Sequence, residues 1–153
     1  MLKAVKKSKV AKSGGSFAIV ASRYNARYVD GMLNAAAREL KRAGAKVQIV
    51  RVPGAYEIPV VAAKLSTLPS KPAAIICLGV ILRGETTHAQ HIGEAVSQAL
   101  MQIQITHGVP VIHEVLLLEN KQQAEVRCLD PKHNRGMEAA QTALEMARVL
   151  AQL

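Results

Sequence analysis

The residues with the clearest potential for acid–base chemistry lie in one stretch, Ile75 to His91, which reads IICLGVILRGETTHAQH. Its first half is an unbroken apolar run, typical of a strand buried on both faces of a parallel sheet. Its second half changes character, because Gly84 permits a sharp turn and Glu85, Thr86 and Thr87 offer side-chain oxygens that can cap a helix. The stretch therefore predicts a strand, a turn and the start of a helix.

His88 is predicted to lie in the first turn of that helix. Free N–H groups at a helix N-terminus attract anions, and ligands of open α/β sheets bind beyond the carboxyl ends of the strands. The junction is therefore a natural phosphate site, and an imidazole beside it can accept and return a proton. The stretch taken alone is equally consistent with a solvated histidine that caps the helix.

Two further loops follow predicted strands. Arg23-Tyr24-Asn25 comes after the first strand, and the segment Val52 to Pro59, VPGAYEIP, comes after the second. The carboxyl ends of parallel strands meet at one edge of a sheet, so all three loops are predicted to lie at the ligand-binding edge. Within the second loop, Glu57 could bind a ligand or merely complement the dipole of the following helix.

The composition predicts a single α/β domain. A chain of 153 residues is long enough for one domain, and it is 50% hydrophobic but only 3% aromatic, so Val, Ile, Leu and Ala fill its core. The net charge of +9 raises the question of nucleic acid as a partner. Five of those charges lie in one short segment, at Lys3, Lys6, Lys7, Lys9 and Lys12. Nucleic acid is therefore not an expected partner, because no basic stripe is interleaved with aromatic residues.

Residues 1–15 are expected to form a basic, flexible tail, and residues 16–153 a single domain. The tail has no apolar segment of the kind found in secretion signals, and no stretch approaches the length of a membrane span. Cys77 and Cys128 have no nearby second cysteine to complete a metal site or a redox pair, which indicates inert thiols. These features predict a cytoplasmic protein with no membrane association and no metal.

Strands and helices alternate along the chain. Four strands are predicted: residues 17–22, residues 46–52, the apolar first half of the stretch Ile75 to His91, and residues 109–118. The first predicted helix begins near Asp30 and ends near Gly44, the second ends near Leu68, and the third ends near Gly108. A short fourth helix runs from about Asn120 to Arg127, and a fifth begins near Asn134. This alternation predicts a three-layer, flavodoxin-like α/β sandwich in which helices cover both faces of a four-stranded parallel sheet.

The long helix that ends near Gly108 carries two apolar stripes. The stronger stripe runs through Ile92, Val96 and Leu100, and a weaker one runs through Met101 and Ile105. Two stripes imply two neighbours. The remaining face is polar but mostly uncharged, which suits either solvent or a symmetry-related subunit.

Together, the motifs SRYN, VPGAYEIP and LGVILRGETTH, with Asn134-Arg135-Gly136, resemble lumazine synthase, the penultimate enzyme of riboflavin synthesis. The resemblance runs from about Phe17 to the C-terminus and leaves out the tail. It implies condensation of 5-amino-6-ribitylaminouracil with 3,4-dihydroxy-2-butanone 4-phosphate, with loss of phosphate and water, to give 6,7-dimethyl-8-ribityllumazine. It also implies that no metal or organic cofactor takes part.

For the pyrimidine substrate, the resemblance implies three groups of binding residues. Tyr24 occupies the position of the aromatic residue that stacks on the pyrimidine, and Asn25 lies beside it. The ribityl chain is held by the segment that matches Ala55, Tyr56 and Glu57. Backbone contacts to the pyrimidine edge come from Ile81 and Leu82.

For the phosphorylated substrate, the resemblance implies a phosphate loop, an arginine and an acid–base histidine. The phosphate loop is formed by Gly84, Glu85, Thr86 and Thr87. His88 is the acid–base residue, and Arg127 binds phosphate. Arg127, His113 and Arg135 are implied to reach the site from an adjacent subunit.

Three of these positions depart from the family's usual pattern. Tyr24 replaces Phe or Trp, which keeps a stacking face and adds a hydroxyl. His113 stands where Phe is common and makes the neighbouring subunit's wall of the pocket more polar. Arg135 replaces a common Lys, so a point donor becomes a planar fork.

The resemblance implies a ring of five subunits, and twelve rings can close into a sixty-subunit shell. The sequence leaves the shell open, since a Lys-rich tail with few β-formers is a poor strand to add to a neighbour's sheet. One alternative is an architectural homologue that assembles but has lost catalysis. Another is a flavin- or mononucleotide-binding module, whose phosphate loop would follow the first strand. No glycine lies between Arg23 and Arg27 to form that loop.

Overall fold

A computed structural model describes residues 2–6 and 15–153 of the chain. The strands are β1 (Ser16–Ser22), β2 (Lys46–Val52), β3 (Ile75–Leu82) and β4 (Val111–Leu118). The α-helices are α1 (Ala26–Arg42), α2 (Ile58–Ser66), α3 (His88–His107), α4 (Lys121–Cys128) and α5 (Arg135–Ala151), and a 3-10 turn covers Ala55–Glu57. The strands are all parallel, in the order β2-β1-β3-β4, which confirms the predicted fold class.

Each face of the sheet packs against its own layer of helices. Phe17 and Ile19 of β1 point into the core beneath α1 and α5, while Ala18 and Val20 point into the core beneath α2 and α3. β3 alternates in the same way, and its residues from Ile75 to Val80 are all buried. Burial on both faces explains why β3 is apolar at consecutive positions rather than at alternate ones.

The sheet opens a crevice between β1 and β3. These strands pair from Ala18 opposite Ile75 to Ala21 opposite Leu78, whereas β3 stays paired with β4 as far as Leu82 opposite Leu118. From β1 the chain continues to β2 on one side, and from β3 it continues to β4 on the opposite side. The gap between β1 and β3 is therefore the topological switch point, where open α/β sheets bind ligands.

The prediction that α1 begins near Asp30 was wrong. α1 begins at Ala26, and its N-cap is Asn25, whose backbone is left-handed (φ 57°). Asparagine adopts this conformation more readily than most residues, so the chain turns directly from strand to helix. Asp30 lies in the second turn, where its carboxylate is 2.8 Å from the guanidinium of Arg51.

The start of α5 is fixed against α1 and α4. The Asn134 side chain accepts hydrogen bonds from the backbone N–H groups of Gly136 (2.8 Å) and Met137 (3.3 Å). Its amide donates to the carbonyls of Gly31 (3.2 Å) and Cys128 (2.8 Å). α5 crosses α1 so closely that a Cβ atom at Gly136 would collide with the backbone of Met32.

Replacing Gly136 with alanine is therefore expected to lower the free energy of unfolding by about 2 kcal/mol, since two helix backbones would have to separate. Urea denaturation measures this change. Gly93→Ala is the matched control, because its new methyl would lie 3.7 Å from the Leu117 side chain, an ordinary contact. Equal stability of the two variants would contradict the close α1–α5 approach.

Candidate active site

A cavity of about 1000 Å³ lies at the switch point, beyond the carboxyl ends of β1 and β3. It is bounded by the loop after β1, the 3-10 turn, the end of β3 with the following turn, and the first turns of α3. Its lining includes the predicted site residues Tyr24, Asn25, Ala55, Tyr56, Glu57, Ile81, Leu82, Gly84, Thr86 and His88. Residues from three separate predicted loops therefore meet in one cavity.

The loop after β1 is held from both sides. The backbone N–H of Tyr24 donates to the Pro53 carbonyl (3.0 Å), and the side-chain amide of Asn25 donates to the Val80 carbonyl (2.7 Å). The Tyr24 side chain itself is 75% exposed, and Tyr56 on the opposite loop is 66% exposed. Two tyrosine rings thus offer open faces at the cavity, where a planar ligand could stack.

The turn between β3 and α3 presents a helix N-terminus to the cavity. α3 begins at His88, and the backbone N–H of His88 donates to Thr86 Oγ1 (3.3 Å). Thr87 is the N-cap residue but does not cap with its side chain; its Oγ1 lies 3.4 Å from His91 Nε2. Side-chain oxygens of Glu85, Thr86 and Thr87 were all predicted to be able to cap the helix, and it is the Thr86 hydroxyl that accepts this hydrogen bond. Glu85 and Thr87 lie in this turn but outside the cavity lining.

Six cavity residues were absent from the predicted site: Gly54, Val80, Ala89, His91, Ile92 and Ala95. His91 follows His88 by three positions, and residues at that spacing share one face of a helix, so a sequence signal existed for it. Val80 could not be predicted from the sequence, because an apolar residue inside a strand gives no sign that its carbonyl accepts a hydrogen bond from Asn25.

His113 lies outside this cavity, on the surface shared by α3 and β4. Its Nδ1 accepts a hydrogen bond from the Val115 N–H (3.1 Å), so Nε2 carries the proton and donates to Ser97 Oγ (2.7 Å). The Ser97 hydroxyl in turn donates to the Gly93 carbonyl (2.8 Å). Burial lowers the pKa of His113, which favours this neutral form. Since Nε2 cannot take a proton from Ser97, the pair is not a nucleophile and its base.

Arg135 is also outside the cavity, at the start of α5. Its guanidinium lies 3.3 Å from Glu114 and 2.8 Å from Glu138. Burial raises the pKa of Glu114 to about 7 and outweighs the opposing attraction of Arg135. The charge of Arg135 is thus matched by carboxylates of its own subunit.

The raised pKa of Glu114 makes stability depend on pH. The folded chain binds a proton more tightly here than the unfolded chain, so this contribution to stability is full below pH 4.5 and is lost as pH rises through about 7. Relative to Glu114→Gln, the parent should therefore lose about 2–3 kcal/mol of unfolding free energy across this window.

Urea denaturation at several pH values measures the trend. Glu145→Gln is the control. The hydrogen bond from Arg148 lowers the pKa of the exposed Glu145. The difference in stability between the parent and Glu145→Gln should therefore change with pH in the opposite direction. Parallel stability curves for the parent and Glu114→Gln would contradict the raised pKa.

Arg127 lies on α4, half-buried, and has no ion-pair partner among residues 2–6 and 15–153. It does not line the cavity, and neither does any other arginine or lysine of the described ranges. Within residues 2–6 and 15–153, one subunit therefore brings together the histidine, the helix N-terminus and the aromatic rings but no permanent cation.

Across the described residues, no cluster of three or more His, Cys, Asp or Glu side chains is arranged to hold a metal ion. Nor does the described part of the chain contain a helix that is long and apolar enough to cross a membrane.

The fold and the cavity define an α/β protein of the class that binds a small ligand at the switch point of a parallel sheet. The sequence matches the model of a protein family described as 6,7-dimethyl-8-ribityllumazine synthase over residues 14–151. The chain belongs to this family, which confirms the family predicted from its motifs. Its members are transferases of riboflavin biosynthesis.

Three relatives show how far the similarity extends, and each is named 6,7-dimethyl-8-ribityllumazine synthase. The protein from Stenotrophomonas maltophilia (strain R551-3) is 42% identical over 140 residues, which is 90% of both chains. That from Xylella fastidiosa (strain 9a5c) is 42% identical over 144 residues, 92% of this chain and 93% of the relative. That from Xanthomonas campestris pv. campestris (strain B100) is 39% identical over 137 residues, 88% of both chains.

Proposed function

We propose that this chain condenses 5-amino-6-ribitylaminouracil with 3,4-dihydroxy-2-butanone 4-phosphate and releases phosphate, water and 6,7-dimethyl-8-ribityllumazine. One observation carries the proposal beyond family membership. Tyr24, Glu57 and His88 follow three different strands along the chain and line the same cavity at the start of α3. Imine formation and loss of phosphate need proton transfers and an anion site, and this arrangement suits both.

In the proposed complex, the pyrimidine ring stacks on Tyr24 and the backbone at Ile81 and Leu82 contacts its edge. The Glu57 carboxylate accepts hydrogen bonds from ribityl hydroxyls, with Tyr56 and Ala55 beside it. A carboxylate is a strong acceptor for several hydroxyls, which gives Glu57 a role beyond complementing a helix dipole. The exposure of both tyrosine rings supports this placement, because a bound ring would cover them.

The phosphate is proposed to sit in the turn from Gly84 to Thr87, against the N-terminus of α3. His88 then lies beside the reacting centre and moves protons during imine formation and phosphate loss. Since no arginine or lysine in the described part of the chain lines the cavity, the proposed cation is Arg127 of an adjacent subunit. His113 and Arg135 are proposed to reach the same site from that neighbour.

The proposed assembly is a ring of five subunits. Met101 (56% exposed) and Ile105 (67% exposed) form an apolar stripe on α3 that a neighbouring subunit would cover. Closure into a sixty-subunit shell is proposed to be favoured by salt, which screens the basic tails. Light scattering at several salt concentrations tests this. A pentamer at every salt concentration would rule out the shell under those conditions.

We also propose a cytoplasmic location, which agrees with Cys77 and Cys128 being buried free thiols. The activity itself is tested by mixing the purified chain with both substrates and following the lumazine chromophore by absorbance. A rate clearly above the uncatalysed condensation is expected. A protein that assembles but gives no such rate would instead be the architectural homologue.

Replacing Arg127 with alanine is expected to raise the KM for the phosphorylated substrate by about tenfold or more, because a charged hydrogen bond to phosphate is lost. The KM for ribitylaminouracil should change far less. Steady-state kinetics with each substrate varied in turn measures the two effects. Arg148→Ala is the control, since Arg148 pairs with Glu145 on an exposed face of α5. Equal changes in both KM values would mean that the phosphate is misplaced.

A further inference from the structure

Arg51 makes three contacts that join the end of β1 to α1. From β2, opposite Ala21 in the sheet register, its Nε donates to the Ala21 carbonyl (3.2 Å) and its Nη2 to the Ser22 carbonyl (3.1 Å). Its Nη1 lies 2.8 Å from Asp30 Oδ1 on α1. The side chain of Arg51 is only 26% exposed.

Asp30 contributes the α1 side of this contact. Its side chain is 46% exposed, so solvent shares in compensating its charge, but its Oδ1 is shielded from solvent and faces the guanidinium of Arg51. The planar fork of Arg51 thus binds two neutral carbonyls and one carboxylate at once. The two carbonyls lie immediately before the turn from Arg23 to Asn25, and Asp30 lies in the second turn of the helix that follows it.

That turn carries Tyr24, and its backbone decides where the ring points. The ring is 75% exposed, so side-chain packing within the subunit does little to orient it. The orientation depends instead on where β1 ends and where α1 begins. Hydrogen bonds to Pro53 and Val80 hold the turn itself, and Arg51 ties the end of β1 to the second turn of α1.

We infer that Arg51 is a positioning residue for the pyrimidine substrate, acting through the turn that presents Tyr24 and Asn25. Arg51 does not line the cavity, so it does not touch the ligand itself. The inference rests on the proposed function, in which Tyr24 stacks on the pyrimidine. Lysine cannot fully replace Arg51, because a single ammonium lacks the fork that reaches two carbonyls and a carboxylate together.

The test compares Arg51→Ala, Arg51→Lys and the parent in binding two probes, ribitylaminouracil and inorganic phosphate, by isothermal titration calorimetry. Arg51→Ala should weaken binding of ribitylaminouracil by about tenfold, and Arg51→Lys by a smaller factor, because small misplacements of binding groups are costly. Phosphate binding should change little, since its proposed site lies in a different loop. Arg148→Ala serves as the control for loss of a surface arginine.

A second measurement does not depend on any ligand. Amide hydrogen exchange of a peptide spanning residues 20–28 should be faster in Arg51→Ala than in the parent, while exchange in β3 stays the same. All measurements are made well below the melting temperature of the weakest variant.

The outcomes separate the two ideas. A parent chain that binds no ribitylaminouracil and gives no chromophore would defeat the proposed function. A parent that binds it, with an Arg51→Ala variant that binds it equally well, would overturn the positioning role. Equal weakening toward both probes, with exchange raised throughout the sheet, would also overturn it, because Arg51 would then stabilise the fold in general.

Discussion

Replacing His88 with alanine is expected to lower kcat by about 10²-fold, within the range that a well-placed acid–base group contributes. His88 is the first residue of α3 and lines the cavity next to the turn that is proposed to hold phosphate. Its imidazole is therefore in reach of the bonds that form and break there. Affinity for ribitylaminouracil should be almost unchanged, because the proposed stacking and ribityl contacts come from other loops.

The loss should lie at the lower end of that range. Holding the two substrates together in the cavity should itself supply much of the rate. Residual turnover in His88→Ala is therefore expected rather than complete inactivity.

The measurement is kcat and the dissociation constant of ribitylaminouracil for the parent and the variant across pH 6 to 8. His107→Ala provides the matched control, because His107 ends the same helix and does not line the cavity. If His88→Ala keeps the parent's kcat at every pH, His88 has no part in proton transfer.

Much of the fold was predictable because its signals are local. The apolar run of β3, the change of pattern at Gly84 and the cap at Asn134 are each contained within a few residues. Once the sheet is parallel, its geometry gathers the loops after β1, β2 and β3 at one edge. The cavity at this edge therefore followed from the order of the elements.

The features that were not predicted depend on contacts between distant parts of the chain. Asn25 lies in a left-handed turn between β1 and α1 and bonds to Val80, 55 residues away, so nothing nearby marked it as the start of α1. Glu114 and Arg135 are 21 residues apart, and their pairing depends on how α5 lies on β4. Periodicity describes which face of an element is buried, not which polar groups meet there.

It stays a prediction that His113 makes a neighbouring pocket more polar. The structure defines the hydrogen bonds that the His113 ring makes within its own subunit. With Nδ1 accepting from Val115 and Nε2–H donating to Ser97, both nitrogens are already engaged within the subunit. An imidazole in this state offers a neighbour mainly its ring edge and face. It therefore resembles an aromatic wall more closely than its residue type suggests.

The proposed division of the site between subunits leads to the largest expected effect. Arg127 lies on α4 and does not line the cavity that contains His88, and no arginine or lysine among the residues that the structure describes lines it either. If Arg127 completes the site of an adjacent subunit, His88 and Arg127 of one working site belong to different chains. Two variants that are each impaired can then repair one another in a mixed ring.

We therefore expect that His88→Ala and Arg127→Ala, each weakly active at low concentrations of the phosphorylated substrate, regain activity when they are unfolded, mixed in equal amounts and refolded together. In a randomly mixed ring, about one site in four receives an intact His88 from one chain and an intact Arg127 from the next. Absorbance of the lumazine chromophore gives the recovered rate, and light scattering verifies that rings have formed.

The double variant His88→Ala/Arg127→Ala, mixed with the parent in the same way, is the matched control. It also yields intact sites at about one in four, so similar rates from the two mixtures would assign Arg127 to the neighbouring chain. Recovery only in the mixture that contains the parent would place both residues in the same chain and contradict the shared site.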